Sequence, residues 1–271
     1  MTPQELRIGA HVEQTDPVTE AVARDSTIVQ FFLGDPQSYK GPEIRYAGGA
    51  DALRAAAGSA GVDLYVHAPY IINVATTNNR IRIPSRKLLQ QHVDAAASIG
   101  AKGLIVHGGH VDKAGDDAEL LGKGFDNWRK AIDATDLKIP LLIENTAGGD
   151  NAMARHADRI GRVFEAISAC EQADKVGFCL DTCHAHAGGI ALDTAVERLL
   201  ALTGRIDLVH ANDSRDAFDS GADRHTSFGE GMIDHQAFVE LVRSAGAPVI
   251  AETPGPAERH KADFEWLRSR L

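Results

Sequence analysis

The chain has 271 residues, 44% hydrophobic and 24% charged, an ordinary globular composition at a length that buries a large core without disulfide staples. A formal charge of −10 argues against a general nucleic-acid coat protein, which needs surplus Lys and Arg for phosphates, but suits a protein whose acidic groups neutralise cations. Cys170, Cys179 and Cys183 form no disulfide framework, the N-terminus lacks a cationic-then-apolar leader, and no apolar run reaches membrane-span length, so a cytoplasmic protein with free thiols and no membrane contact is expected.

Taken in chain order, short apolar, β-branched runs predict strands at Leu6–Val12, Thr27–Leu33, Val62–His67 and Gly103–His107, then at Pro140–Glu144, Val176–Asp181, Ile206–His210 and Pro248–Glu252. Helical patterns fall between them, among others at Ser85–Ile99, Ala157–Ser168, Leu192–Leu202 and His235–Ser244, the first with Ser85 as its cap after Pro84. Eight strands alternating with helices predict a parallel sheet closed into a (β/α)8 TIM barrel. No composition break or linker interrupts residues 1–271, so one domain is expected.

Strand after strand ends on a side chain able to bind metal: His67 in YVHAPY, His107 in IVHGGH, Glu144 in LIENTAGG, Asp181 in CLDTCHAH, His210 in LVHAND and Glu252 in IAETPG. All strand C-termini of a parallel barrel open onto one face, so these six should converge. His184 follows the sixth strand, and Asp223 and His225 follow the seventh. A lone histidine is usually structural, but several carboxylates and imidazoles in one barrel mouth need cations or each other. His, Asp and Glu suit Zn²⁺ and similar ions, and nine ligands exceed what one ion takes, which implies two or three ions with bridging carboxylates. Such clusters clamp the attacking and leaving oxygens of a phosphoryl displacement. Cys183 reads as a buried thiol beside the ligands, and His11 as a residue supporting them from behind. His110, His156, His186, His235 and His260 read as supporting, capping or surface residues. The glycine turns have neither dinucleotide nor P-loop spacing.

The stretch HAPYIINVATTNNRIRIPSRKLLQ joins Tyr70 and Ile71 to a basic run of Arg80, Arg82, Arg86 and Lys87, suited to wedging into a duplex while holding phosphates; a barrel-capping role for Tyr70 and Ile71 stays equally open. GDPQSYKGP after the second strand adds Gln37, Ser38, Tyr39 and Lys40.

These segments, with GAHV, FLGDPQSYK, HAPYIINVA, VHGGH, HANDSRD, DRHTSFGEG and IAETPG in the same order, resemble the endonuclease IV family of zinc-dependent AP endonucleases over nearly the whole chain. The resemblance implies a TIM barrel with three Zn²⁺ (Mn²⁺ or other divalent ions being able to substitute), acting as a monomer on double-stranded DNA. It implies hydrolysis of the phosphodiester 5′ to an abasic site to leave a 3′-hydroxyl, and trimming of blocked 3′ ends, in base excision repair. His67, His107 and Glu144 would hold one ion, and the catalytic Glu144 would bridge to a second completed by Asp181, His210 and Glu252. His184, Asp223 and His225 would hold the third. Tyr70 and Ile71 match the family's intercalating pair, whereas Gln37 stands where the family typically has a wedge arginine and Thr226 where many relatives carry a second histidine. A sugar isomerase or epimerase on the same barrel would need one ion, which Glu144, Asp181, His210 and Glu252 could hold, leaving the other five groups without a purpose. A non-catalytic DNA- or metal-binding barrel would be expected to have lost ligands, and none is missing.

Overall fold

A computed structural model describes residues 6–112 and 117–271. Its parallel strands are β1 (Ile8–His11), β2 (Ile28–Phe32), β3 (Asp63–His67), β4 (Gly103–His107), β5 (Leu141–Glu144), β6 (Val176–Asp181) and β7 (Leu208–Ala211). After a small antiparallel ribbon, β8 (Asp213–Ser214) with β9 (His225–Thr226), the strand β10 (Val249–Ala251) pairs with β7 on one side and β1 on the other. The barrel is thereby closed, which leaves its own sheet without an edge. The strands at Gly103–His107 and Val176–Asp181 match the predicted runs; the others differ by one or two residues at their ends.

Helices α2 (Gly49–Ala60), α3 (Asn79–Ser98), α4 (Ala118–Ala134), α5 (Ala157–Ile167), α7 (Leu192–Thr203) and α8 (His235–Ala245) join shorter ones, α1 (Pro17–Ala23) and α6 (Thr182–Ala187), in the connections between strands, and α9 (Ala257–Arg268) follows β10. Their apolar faces meet the outer faces of the strands in one continuous core around Trp128, Phe31, Phe178 and Phe264. Among the described residues, no helix is long and apolar enough to cross a membrane.

One prediction is corrected here. Ser85 does not cap its helix, because α3 starts at Asn79, with the Asn78 side chain accepting the Arg80 N–H and Pro84 lying inside the helix. The basic run 79–82 has no apolar period, so the pattern hides this start. Ser85 is buried instead, its Oγ accepting the Asn73 N–H. The basic side chains consequently sit on a helix and not in a loop, and two are engaged by backbone: Arg82 donates to the Thr76 carbonyl and Arg86 to that of Asn127.

Inside the barrel the side chains form layers. Ile28, Tyr65, Ile105, Leu142, Cys179, Leu208 and Ile250 make a separate apolar cluster that plugs the interior. Successive strand residues point to opposite faces, so the next inward position lies two residues on. Those positions are Gln30, His67, His107, Glu144, Asp181, His210 and Glu252. A polar ring thus sits directly on an apolar floor, at the C-terminal mouth. Gly9 serves β1 by absence of a side chain, since a Cβ there would lie 1.7 Å from the Ile28 carbonyl oxygen. Gly9→Ala should destabilise the fold by about 3 kcal/mol through overpacking; a melting temperature equal to that of the unaltered protein would contradict this.

Candidate metal centre

Glu144 closes β5 and is wholly buried. Its two oxygens face different partners. Oε2 lies 3.1 Å from Nε2 of His67 and 3.4 Å from Nε2 of His107. Oε1 lies 3.0 Å from Nδ1 of His210 and 3.3 Å from Nδ1 of His184. One carboxylate therefore joins two groups of imidazoles. Burial works against its charge, but His210 and His107 more than offset this and hold its pKa well below the usual carboxylate range.

Three clusters grow outward from it. Ligand atoms of His67, His107 and Glu144 lie within 4.8 Å of one another, as do those of Glu144, Asp181, His210 and Glu252, and those of Asp181, His184 and His225. Asp223 links to the last cluster from the rim, with Oδ2 3.2 Å from Nε2 of His184 and Oδ1 3.0 Å from Nε2 of His225. The buried Cys183 thiol shares a fourth grouping with Asp223 and His225. All nine sequence-designated side chains thus meet at one mouth.

Ring orientations are set by the backbone. The Nδ1 of His67 lies 2.7 Å from the Ala68 carbonyl and that of His184 2.9 Å from the Asn145 carbonyl, so each donates there and presents Nε2. Asp181 caps α6 by accepting the His184 N–H at 2.6 Å, which places His184 one turn beyond β6. His225 arrives on the β8–β9 ribbon. That ribbon and the GEG turn after it are organised by Asp213, whose buried carboxylate accepts N–H groups from Ser214, Gly229, Gly231 and Ile233.

The donor set can hold metal ions. Nε2 of His184 and Nε2 of His225 are buried without a hydrogen bond, although Asp223 oxygens stand close to both. These two ring nitrogens and the Asp223 carboxylate face one another closely enough for one cation to be held among them. Burial opposes charging His225, yet Asp223, Cys183 and Asp181 push its pKa up to about 11. Asp181 moves the other way, raised by burial. His107 falls to about 4, also through burial.

At the rim, the half-exposed Tyr70 ring stacks on His107 with centroids 5.5 Å apart and meets Phe32 edge-on at 5.1 Å. Ile71 is less exposed than its place in the motif suggests: it packs against the core. Tyr39 donates to the Ile71 carbonyl, which ties the β2 and β3 loops together, and Gln37 is exposed in the first of them. A groove of about 510 Å³ runs from Tyr39, Tyr70 and Ile71 past His107 and His110 to Gly149.

Three residues escaped the sequence reading. Asn145 exchanges hydrogen bonds with the backbone of Asp181, and Asn212 donates to the Asp181 carboxylate while accepting the Glu252 N–H. Each follows a candidate ligand directly or by one residue, in LIEN and HAN, and that adjacency is the available signal. Gln30 was missed as the one polar residue of IVQFF. His11 lies behind Glu252, its Nδ1 3.7 Å from Oε1.

The family described as xylose isomerase-like TIM barrel matches residues 18–270. A probable endonuclease 4 of Mycobacterium bovis (strain BCG / Pasteur 1173P2) is 52% identical over 265 residues, covering 98% of this chain and 99% of that protein. One of Mycobacterium marinum is 52% identical over 266 residues, with the same coverage. Among solved structures, endonuclease IV from Thermus thermophilus superposes with a TM-score of 0.82 at 24% identity, covering 97% of this chain and 98% of its own. A D-tagatose 3-epimerase-like protein superposes with a TM-score of 0.75 at 19% identity, covering 97% and 96%. At such identities the structural likeness speaks to the barrel alone.

Proposed function

The chain belongs to the endonuclease IV family, within the xylose isomerase-like TIM barrels, and from that membership we propose that it is a DNA-repair hydrolase cutting the phosphodiester 5′ to abasic sites. It would leave a 3′-hydroxyl and also clear blocked 3′ ends. The observation that carries this reading is the split environment of Glu144, with two imidazoles at each oxygen. A single-ion sugar epimerase has no use for His67, His107 and His184 at that carboxylate, nor for Asp223 and His225 beside His184.

His67, His107 and Glu144 would hold one Zn²⁺, Glu144, Asp181, His210 and Glu252 a second, and His184, Asp223 and His225 a third, with Mn²⁺ able to substitute. When bound, such ions supply a nucleophile at neutral pH and positive charge against the phosphate and departing oxygen, so no protein general acid is required. Glu144 stays ionised and orients the attacking water. The apolar floor under the polar ring excludes bulk solvent from below. Tyr70, half-exposed and packed against Phe32 and His107, would fill the gap left by an extruded abasic nucleotide, with Ile71 beside it. Extrusion costs less where the base is missing, which gives selectivity for damage. Gln37, exposed in the β2 loop, would make a polar contact where an arginine wedge is typical of the family.

Tyr70→Ala should weaken binding of an abasic duplex by about 1–3 kcal/mol, the range of base–aromatic stacking, with little change in kcat. Equal affinity of the two proteins in a fluorescence-anisotropy titration would remove Tyr70 from the DNA contact. Proton linkage gives a further check. Burial disfavours the charged forms of His184, His210 and His225, but their neighbours raise all three pKa values: Asp181, Asp223 and Glu144 for His184, Cys179, Glu252 and Glu144 for His210, and Asp223, Cys183 and Asp181 for His225. Zinc takes these rings only in their deprotonated form, so its binding should tighten as pH rises and release protons. Calorimetry in buffers of different ionisation heat measures the release; heats independent of the buffer would refute it.

A further inference from the structure

Gln30 lies on β2, inward and wholly buried, in the same layer as Glu144 and His210. Its amide is fully used. Oε1 stands 2.8 Å from Nε2 of His210, which can approach it only as an N–H donor. Nε2 stands 2.6 Å from Oε1 of Glu252 and 3.0 Å from Nδ1 of His11, two acceptors for its two hydrogens. Turning the amide over would set its oxygen against the Glu252 carboxylate, so that charge fixes which end faces His210. Burying a primary amide in an apolar run is costly unless its hydrogen bonds are made, and here each is made to the metal centre or to the residue behind it.

We infer that Gln30 is a positioning residue: it keeps the His210 proton on Nε2, leaving Nδ1 for the ion, and occupies Oε1 of Glu252, leaving Oε2. The two freed atoms lie 3.4 Å apart, and Nδ1 of His210 is 3.0 Å from Oε1 of Glu144, so the three converge on one point. Glutamine supplies what neither glutamate nor methionine of similar size does, an acceptor and two donors on one rigid plane. His11 braces the donor end. The assignment rests on the reading of this mouth as a metal centre, and the experiment separates the two.

The test compares Gln30→Met, which removes both interactions, with Gln30→Glu, which keeps the acceptor for His210 and loses the donors to Glu252. Zinc per chain is counted after dialysis against graded chelator, and the ring nitrogen shifts of His210 are read by NMR. Gln30→Met should release one ion at 10- to 100-fold lower chelator strength than the unaltered protein, roughly the usual consequence of losing a partner of a metal ligand. Its His210 shifts should report a mixture of tautomers, and kcat on an abasic duplex should fall with KM unchanged. Gln30→Glu should weaken the same ion while leaving the His210 shifts in place, and it decides the matter alone if Gln30→Met does not fold. Retention of every ion at the original strength by Gln30→Met, or His210 shifts that move in Gln30→Glu, would overturn the inference. An unaltered protein that binds no zinc would instead overturn the metal centre itself.

Discussion

Glu144→Gln should lower kcat for incision of a duplex with one abasic analogue by about a thousandfold or more, roughly 4 kcal/mol of barrier. The expectation follows from the geometry of the carboxylate. Each oxygen faces two imidazole nitrogens, and an amide would turn an NH2 group toward one of those pairs. It would also remove the buried negative charge that the surrounding histidines hold ionised. One ion would lose a ligand and two would lose their bridge. Melting curves recorded on the same samples would show that the loss belongs to folded protein. Near-normal turnover would refute the bridging role, whatever the other ligands do.

Removal of metal should have the larger effect. Dialysis against EDTA should abolish incision, and zinc, or Mn²⁺ less selectively, should restore it. Stability should fall with activity, because an ion bound only by the folded state at a thousand times its Kd contributes about 4 kcal/mol. The buried ring of Glu144, Asp181 and His210 gives this its structural basis. Those groups are then balanced only by protons, and Asp181, whose pKa burial raises, is the least well compensated. Full incision in EDTA would end the metal mechanism.

Most of this site could be read from the sequence because the barrel turns a linear pattern into a ring. An apolar run ending in His, Glu or Asp places that side chain two residues above the floor formed by Ile105, Leu142, Cys179 and Leu208, and the closure of the sheet brings the ends together. The remainder depends on contacts that have no periodicity. β8 and β9 are two residues each, too short to show alternation, yet they deliver His225, and they are held by Asp213 through hydrogen bonds to residues up to twenty positions away. The start of α3 is hidden because Asn78 caps a basic segment and Pro84 lies inside the helix. Asn145, Asn212 and Gln30 are neutral amides, which carry no mark of metal chemistry on their own; only their place beside or between ligands shows what they do. The fold itself does not discriminate between DNA hydrolysis and sugar epimerisation; the surplus of candidate ligands is what favours the first reading.

Counting the ions is therefore the most direct test. Crystals grown with zinc and measured on both sides of its absorption edge should show three anomalous peaks at the barrel mouth, two of them bridged by Glu144 and the third against His184, Asp223 and His225. A single peak held by Glu144, Asp181, His210 and Glu252 alone would contradict the account and turn the same barrel toward sugar chemistry.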